Sequence, residues 1–239
     1  MAEKKELVKD RLQRLIARMK KFGYSDYMIK RAQERIDELQ QRDVRGVDKF
    51  VQKLLDRIGN KEAYLDILME GHFAIILARN GFTNIHIEYT PKGPDLKAVW
   101  NTDPIYFEIT RRHSEIDEWA EHTEAYEMGL DKVETAIDKI QGKVKQLLDG
   151  ETNIVVYCSD TMNSLSQNVE GAFGYIQQEI KVDPQKYKDL SGVLFTDWFV
   201  DPATFKQFYL FKTEGASKPL KPSLIEKLEF LLERDKGEP

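Results

Sequence analysis

Apolar residues before Asn60 recur at helical spacing. Leu7, Leu12, Leu15, Ile16 and Met19 form one stripe, and Phe22-Gly23-Tyr24-Ser25-Asp26 comes next as a stop and N-cap signal. Two further helices are predicted at Asp26–Gln41 and Val47–Ile58. From Glu62 the pattern changes to alternating helices and strands. Glu62 to Asn80 reads as a helix ended by Gly81, which has no Cβ to resist the left-handed C-cap. Strands are predicted at Asn84–Tyr89, Leu96–Trp100 and Ile105–Thr110, with a turn at Thr102-Asp103-Pro104. A long polar helical region then runs from about Ser114 to Leu148, broken near Gly129. Asn153–Cys158 is a β-branched run typical of a buried strand. A helix over Ser166–Ile180, strands at Gly192–Phe195 and Phe208–Phe211, and a closing helix at Ser223–Glu233 complete the prediction. The expected class is α/β, with a helical N-terminal extension (1–60) and a main domain (61–239).

Bulk properties narrow the function. At 239 residues the chain can bury a substantial core. A net charge of −5 and a pI near 5.6 give no global basic footprint, so a nucleic-acid surface has to be local. Cys158 is the only cysteine, which excludes an intrachain disulfide and a Cys-rich zinc site. No apolar run approaches the ~20 residues of a membrane span, and Met1-Ala2-Glu3-Lys4-Lys5 leads into no apolar h-region. These features lead us to expect a soluble cytoplasmic protein without a membrane partner.

Two carboxylates carry the sharpest chemistry. Asp95 opens one extended run and Glu108 lies in the next, and neighbouring strands lie roughly 5 Å apart. Both could then serve one hard divalent cation, which prefers oxygen ligands. Glu70 is the second signal. On a helix it falls among Ala63, Ile67, Phe73, Ala74 and Leu77, the arc that should face the core. A carboxylate there is costly unless a cation or donor meets it. A buried arginine or backbone amides would meet it equally well, so a purely structural role stays open. The histidines 72, 86, 113 and 122 show no metal-ligand spacing. Cys158 and the Phe208–Phe211 group read as packing.

The succession of helical Glu70, Leu77 and Gly81-Phe82, then Gly93-Pro94-Asp95, then Phe107-Glu108-Ile109-Thr110 before an amphipathic helix resembles the PD-(D/E)XK nuclease superfamily. The similarity covers roughly Glu62 to Tyr157. It implies a restriction-endonuclease-like mixed central sheet flanked by helices, with Mg²⁺ or Mn²⁺ as cofactor. Asp95 and Glu108 would be the metal carboxylates, and Glu70 would join or orient the metal shell. The family pattern places Lys two residues after the second acid, where this chain has Thr110. Some members move that lysine to the following helix, and Lys143 is the candidate here, bordering the Ile140, Val144 and Leu147 stripe with Lys139 beside it. An ordinary snorkelling lysine is the other reading of Lys143.

The resulting expectation is a metal-dependent DNA endonuclease with Glu70, Asp95, Glu108 and Lys143 as catalytic residues. Arg111, Arg112 and Lys139 would hold neighbouring phosphates; pairing of the arginines with Glu115 or Asp117 is the structural alternative. The rival is a nuclease-fold protein that no longer cuts and binds nucleic acid or a protein partner. The N-terminal helices are the place for a homodimer contact or a protein partner.

Overall fold

The structure is a computed structural model and describes residues 2–88, 93–111, 130–159, 165–200 and 203–231. Seven helices and six strands lie among them. The strands stand in chain order in the sheet, β1-β2-β3-β4-β5-β6. Antiparallel pairing of β1 with β2 and of β5 with β6, and parallel pairing of β3 with β4 and β4 with β5, make the sheet mixed and open. The fold class is therefore α/β, as expected. The described residues divide between two compact units.

The first unit carries α1 (Ala2–Lys21), α2 (Asp26–Gln41), α3 (Val47–Arg57), α4 (Lys61–Arg79), β1 (Thr83–Ile87) and β2 (Leu96–Trp100). Ser25 caps α2 by accepting a hydrogen bond from the Met28 amide, and Asn60 caps α4 through the Ala63 amide. Gly81 ends α4 in the left-handed region at φ 87°, where the Phe82 amide closes on the Leu77 carbonyl. Most of α4 is buried on every side, from Tyr64 to Leu77. An all-round apolar helix needs cover on all faces, and α2, α3 and β1 supply it. Phe50, Leu54, Ile36 and Leu39 are among the fully enclosed side chains that do so. The N-terminal helices thus share one core with α4.

The second unit carries β3 (Asp103–Arg111), α5 (Leu130–Val144), β4 (Thr152–Ser159), α6 (Leu165–Val182), β5 (Gly192–Val200), β6 (Ala203–Lys212) and α7 (Pro222–Glu229). Its core joins Ile140 and Val144 of α5 and Ala172 and Ile176 of α6 to Val155, Tyr157, Val193 and Phe195 on one face of the sheet. Asn153 ties the loops beneath: its amide donates to the carbonyls of Leu148, Glu151 and Asp189, and its Oδ1 accepts from the Leu148 amide.

Several element ends differ from the sequence prediction. The turn before β3 lies at Asn101–Thr102, with Asn101 at φ 57°, and Asp103 and Pro104 already belong to the strand. Strands β5 and β6 run well beyond Gly192–Phe195 and Phe208–Phe211, because they pair antiparallel out to Val200 and Ala203 regardless of how apolar those residues are. α5 stops at Val144, where tighter i to i+3 bonds from Gln146 and Leu147 replace the helical pattern. The part of the expected helical region over 114–129 lies outside the described residues. None of the helices, among the described residues, is long and apolar enough to cross a membrane.

Candidate functional site

Glu70 is buried in α4, and its partner comes from α3. The two helices approach closely at Gly71, where an added Cβ would collide with the Phe50 ring. Phe50 and Lys53 are one turn apart on α3, so the approach that seats the ring also brings the lysine over Glu70. Lys53 Nζ donates to Glu70 Oε1 at 3.3 Å and Oε2 at 3.1 Å, and to Glu88 Oε1 at 2.5 Å. Glu88 lies just past the end of β1, and its amide donates to the Asp95 carbonyl at 2.9 Å. The two acids therefore stand opposite each other where the β1–β2 ladder ends. Glu88 is held at φ 56°, a left-handed conformation that costs a non-glycine residue about 1–3 kcal/mol and persists only where surroundings impose it.

The electrostatics stem from one ammonium bonded to two carboxylates, Glu70 and Glu88, with the charge of Asp95 acting on Lys53 and Glu70. Burial, and then the negative charge of Asp95, push the Glu70 carboxyl well above the ordinary range, against the pull of Lys53. Burial alone would lower Lys53. The charges of Glu70, Glu88 and Asp95 reverse that and raise it. Lys53 is thus held as an ammonium, and burial makes the charge on Glu70 costly.

Glu108 and Lys143 meet in the second unit. In the parallel register Glu108 lies beside Val155 and Thr110 beside Tyr157, so both side chains point to the sheet face that α5 covers. On α5, Lys143 is three residues past Ile140 and precedes Val144, both in that core. Its stem runs along the core edge, and Nζ donates to Glu108 Oε2 at 2.8 Å. Glu108 is 1% exposed and the Lys143 side chain 20%, which makes the pair an inward-facing carboxylate with its cation reaching in from the rim. Thr110, on the same face, is also buried.

The phosphate contacts expected from sequence fare differently. Arg111 remains inside β3, paired in register with Cys158, and is 3% exposed. It is an enclosed strand residue instead of an exposed strand end, because β3 extends one residue further than predicted. Lys139 is exposed on α5, one turn before Lys143. Arg112 lies outside the described residues.

The structure brings Glu70 and Asp95 together in one unit and Glu108 and Lys143 in the other. Lys53 and Glu88 are additions that the sequence did not suggest. Lys53 belongs to a helix with no evident chemistry, and Glu88 reads as the polar position of an alternating strand. The donors around Lys53 are carboxylate oxygens, which suit Mg²⁺ or Mn²⁺ in kind, and the ammonium is a cation they already hold. Its N···O contacts of 2.5–3.3 Å are wider than the ~2.1 Å of Mg–O bonds. Accordingly, among the described residues, no three His, Cys, Asp or Glu side chains are grouped to hold a metal ion. Comparison of the chain with models of protein families, with curated proteins and with solved structures finds no match.

Proposed function

We propose that the chain is a metal-dependent DNA endonuclease of restriction-endonuclease-like fold that hydrolyses phosphodiester bonds. The observation that carries the reading is the Lys143–Glu108 pair. Thr110 leaves the usual lysine position without a cation, and a lysine from the following helix makes up that loss at the carboxylate the resemblance assigns to the metal. A bound Mg²⁺ or Mn²⁺ would polarise the scissile phosphate and lower the pKa of a bound water. By the resemblance, Glu70, Asp95 and Glu108 would be the oxygen donors to the metal. Lys143 orients Glu108 and places positive charge where negative charge develops on the attacked phosphate. Lys139, exposed on the same helix, attracts the backbone phosphates.

The test is nicking and cleavage of duplex and single-stranded DNA with Mg²⁺ or Mn²⁺. Asp95→Ala is expected to abolish cleavage, and Lys143→Ala to slow it by about 10²–10³-fold. Unchanged cleavage by Asp95→Ala would sink the metal-site reading. Loss with Asp95→Ala but full activity with Lys143→Ala would remove only the role of Lys143. The second reading, a nuclease-fold protein that binds nucleic acid or a protein partner without cutting, is favoured by Lys53, which already neutralises part of the acid cluster. Salt-sensitive DNA binding by a wild type that never cuts would support it.

A further inference from the structure

We infer that Arg45, Lys49 and Lys97, gathered around His86 on the first unit, form a surface row that binds the phosphate backbone of DNA. The inference extends the DNA-directed reading above by giving it a binding surface, and it holds whether or not the chain cuts. Backbone pairing builds the row. Arg45 forms a parallel bridge with His86, its amide donating to the Ile85 carbonyl and its carbonyl accepting from the Ile87 amide, both at 2.9 Å. His86 in turn pairs with Lys97 across the antiparallel β1–β2 ladder. Residues paired in register project to the same face, so the three stand side by side. With neighbouring strands roughly 5 Å apart, they span about 10 Å. Ile85, Ile87, Leu96 and Ala98, which alternate with them, are buried, so the row occupies the opposite, more open face. Lys49 is exposed in the first turn of α3, four residues past Arg45. The closeness of these cations registers on the imidazole: burial, and then Lys49, Arg45 and Lys97, hold His86 below its ordinary pKa, with Asp48 opposing. In a chain of net charge −5, cations gathered at one place are the local footprint that DNA binding needs. A row of this length matches the repeated charges of a nucleic-acid backbone, about one per 1.7 Å of duplex axis. A protein partner would instead meet apolar and aromatic side chains, since interface cores are rich in them and poor in lysine. Among the described residues, no exposed large apolar side chain belongs to the α2–α3 connection, β1 or β2.

The test is binding of a short fluorescent duplex to the full chain, followed by anisotropy with EDTA present so that no metal-dependent cleavage intervenes. Combining Arg45→Gln, Lys49→Gln and Lys97→Gln removes the charges and keeps the backbone bridge and the strand pairing. This variant is expected to bind at least about tenfold more weakly at low salt, and to flatten the slope of log affinity against log salt by about 2–3. Combining Lys20→Gln, Lys21→Gln and Arg57→Gln removes three exposed cations elsewhere on the same unit and should leave affinity near that of wild type. Equal losses in the two variants would mean a diffuse effect of net charge and overturn the row, as would wild-type affinity in the first. Absence of duplex binding by the wild type overturns it too. Wild type that binds fluorescent polyglutamate as tightly as the duplex overturns DNA as the occupant. A measurement that needs no variant is the NMR signal of the imidazoles. The His86 ring resonances are expected to shift saturably on addition of the duplex, while those of His72, buried in α4, stay in place. An unmoved His86 overturns the inference even if the first variant does not fold. Cleavage and binding retained by that variant remove the row and leave the nuclease standing. Row-dependent binding without cleavage under any condition removes the nuclease and leaves the row.

Discussion

Glu38 shows what a buried carboxylate costs and how it is met. It lies on α2 with Oε1 accepting from Arg42 Nε at 2.8 Å and Arg79 Nε at 2.9 Å, while Oε2 accepts from Arg79 Nη2 at 2.8 Å. Burial pushes its carboxyl up, but the two guanidiniums outweigh that and hold it below the usual carboxylate range. A depressed folded pKa contributes stability that is complete above the unfolded value of ~4.3 and is lost as pH falls through the folded value. Glu38→Gln is therefore expected to destabilise the chain by roughly 1.5–3 kcal/mol at neutral pH. In urea titrations the gap from wild type should close as pH drops below about 4. A gap that persists unchanged at pH 3 would show that charge is not its source. Glu38 also shows why Glu70 was ambiguous in the sequence: both are acids on helices that pack inward, one met by arginines and the other by a lysine among further acids. Periodicity reveals that a carboxylate faces inward but not which cation waits for it, since Arg79 and Lys53 are supplied from other helices.

At the level of elements, α3 and α4 are coupled through the missing side chain of Gly71. Gly71→Ala would drive a methyl group into the Phe50 ring, an overpacking that costs about 1–3 kcal/mol and forces α3 outward. The expected signature is a lower melting temperature together with weaker contact between Lys53 and Glu70. A melting temperature equal to wild type would show that the ring simply turns aside. The helix α4 was legible because of its length, its apolar content and Gly81. Its geometry toward α3 was not: the arc of Ala63, Ile67, Phe73, Ala74 and Leu77 reads as one inward face, but the helix is buried on its other faces too, so the arc does not indicate which neighbour lies where. The outer parts of β5 and β6 were missed for another reason: Trp198, Phe199, Val200 and Phe205 are apolar, but it is the antiparallel pairing out to Val200 and Ala203 that shows the strands run on to them. Lys143 was legible in the opposite way: it interrupts the rim of an otherwise clear stripe on α5, next to a sheet face already marked by Glu108.

On the scale of the whole molecule, the sequence pattern separates the N-terminal helices from the main domain at about Asn60, whereas α1–α3 belong to the same compact unit as α4, β1 and β2. A change from dense charge to alternating strands marks a change in pattern along the chain and carries no information on which elements share a core. Removing residues 1–59 would bare the faces of α4 that Leu39, Phe50 and Leu54 help enclose. The truncated chain is expected to bind hydrophobic dyes, to aggregate in size-exclusion chromatography and to lose its cooperative melt. A sharp melt at the wild-type temperature would instead mark those helices as a detachable appendage. The same unit also determines how the sheet ends. Arg45, just before α3, donates its amide to the Ile85 carbonyl and accepts from the Ile87 amide through its own carbonyl, both at 2.9 Å. Those groups are the ones that β1 would otherwise offer to an incoming strand. Gly46 makes this possible, since at φ 83° it passes so near Ile87 that a Cβ would collide with the carbonyl oxygen. The stretch between α2 and α3 thus works as a stopper against strand addition, and Gly46→Ala would turn a sealed margin into an open template for self-association.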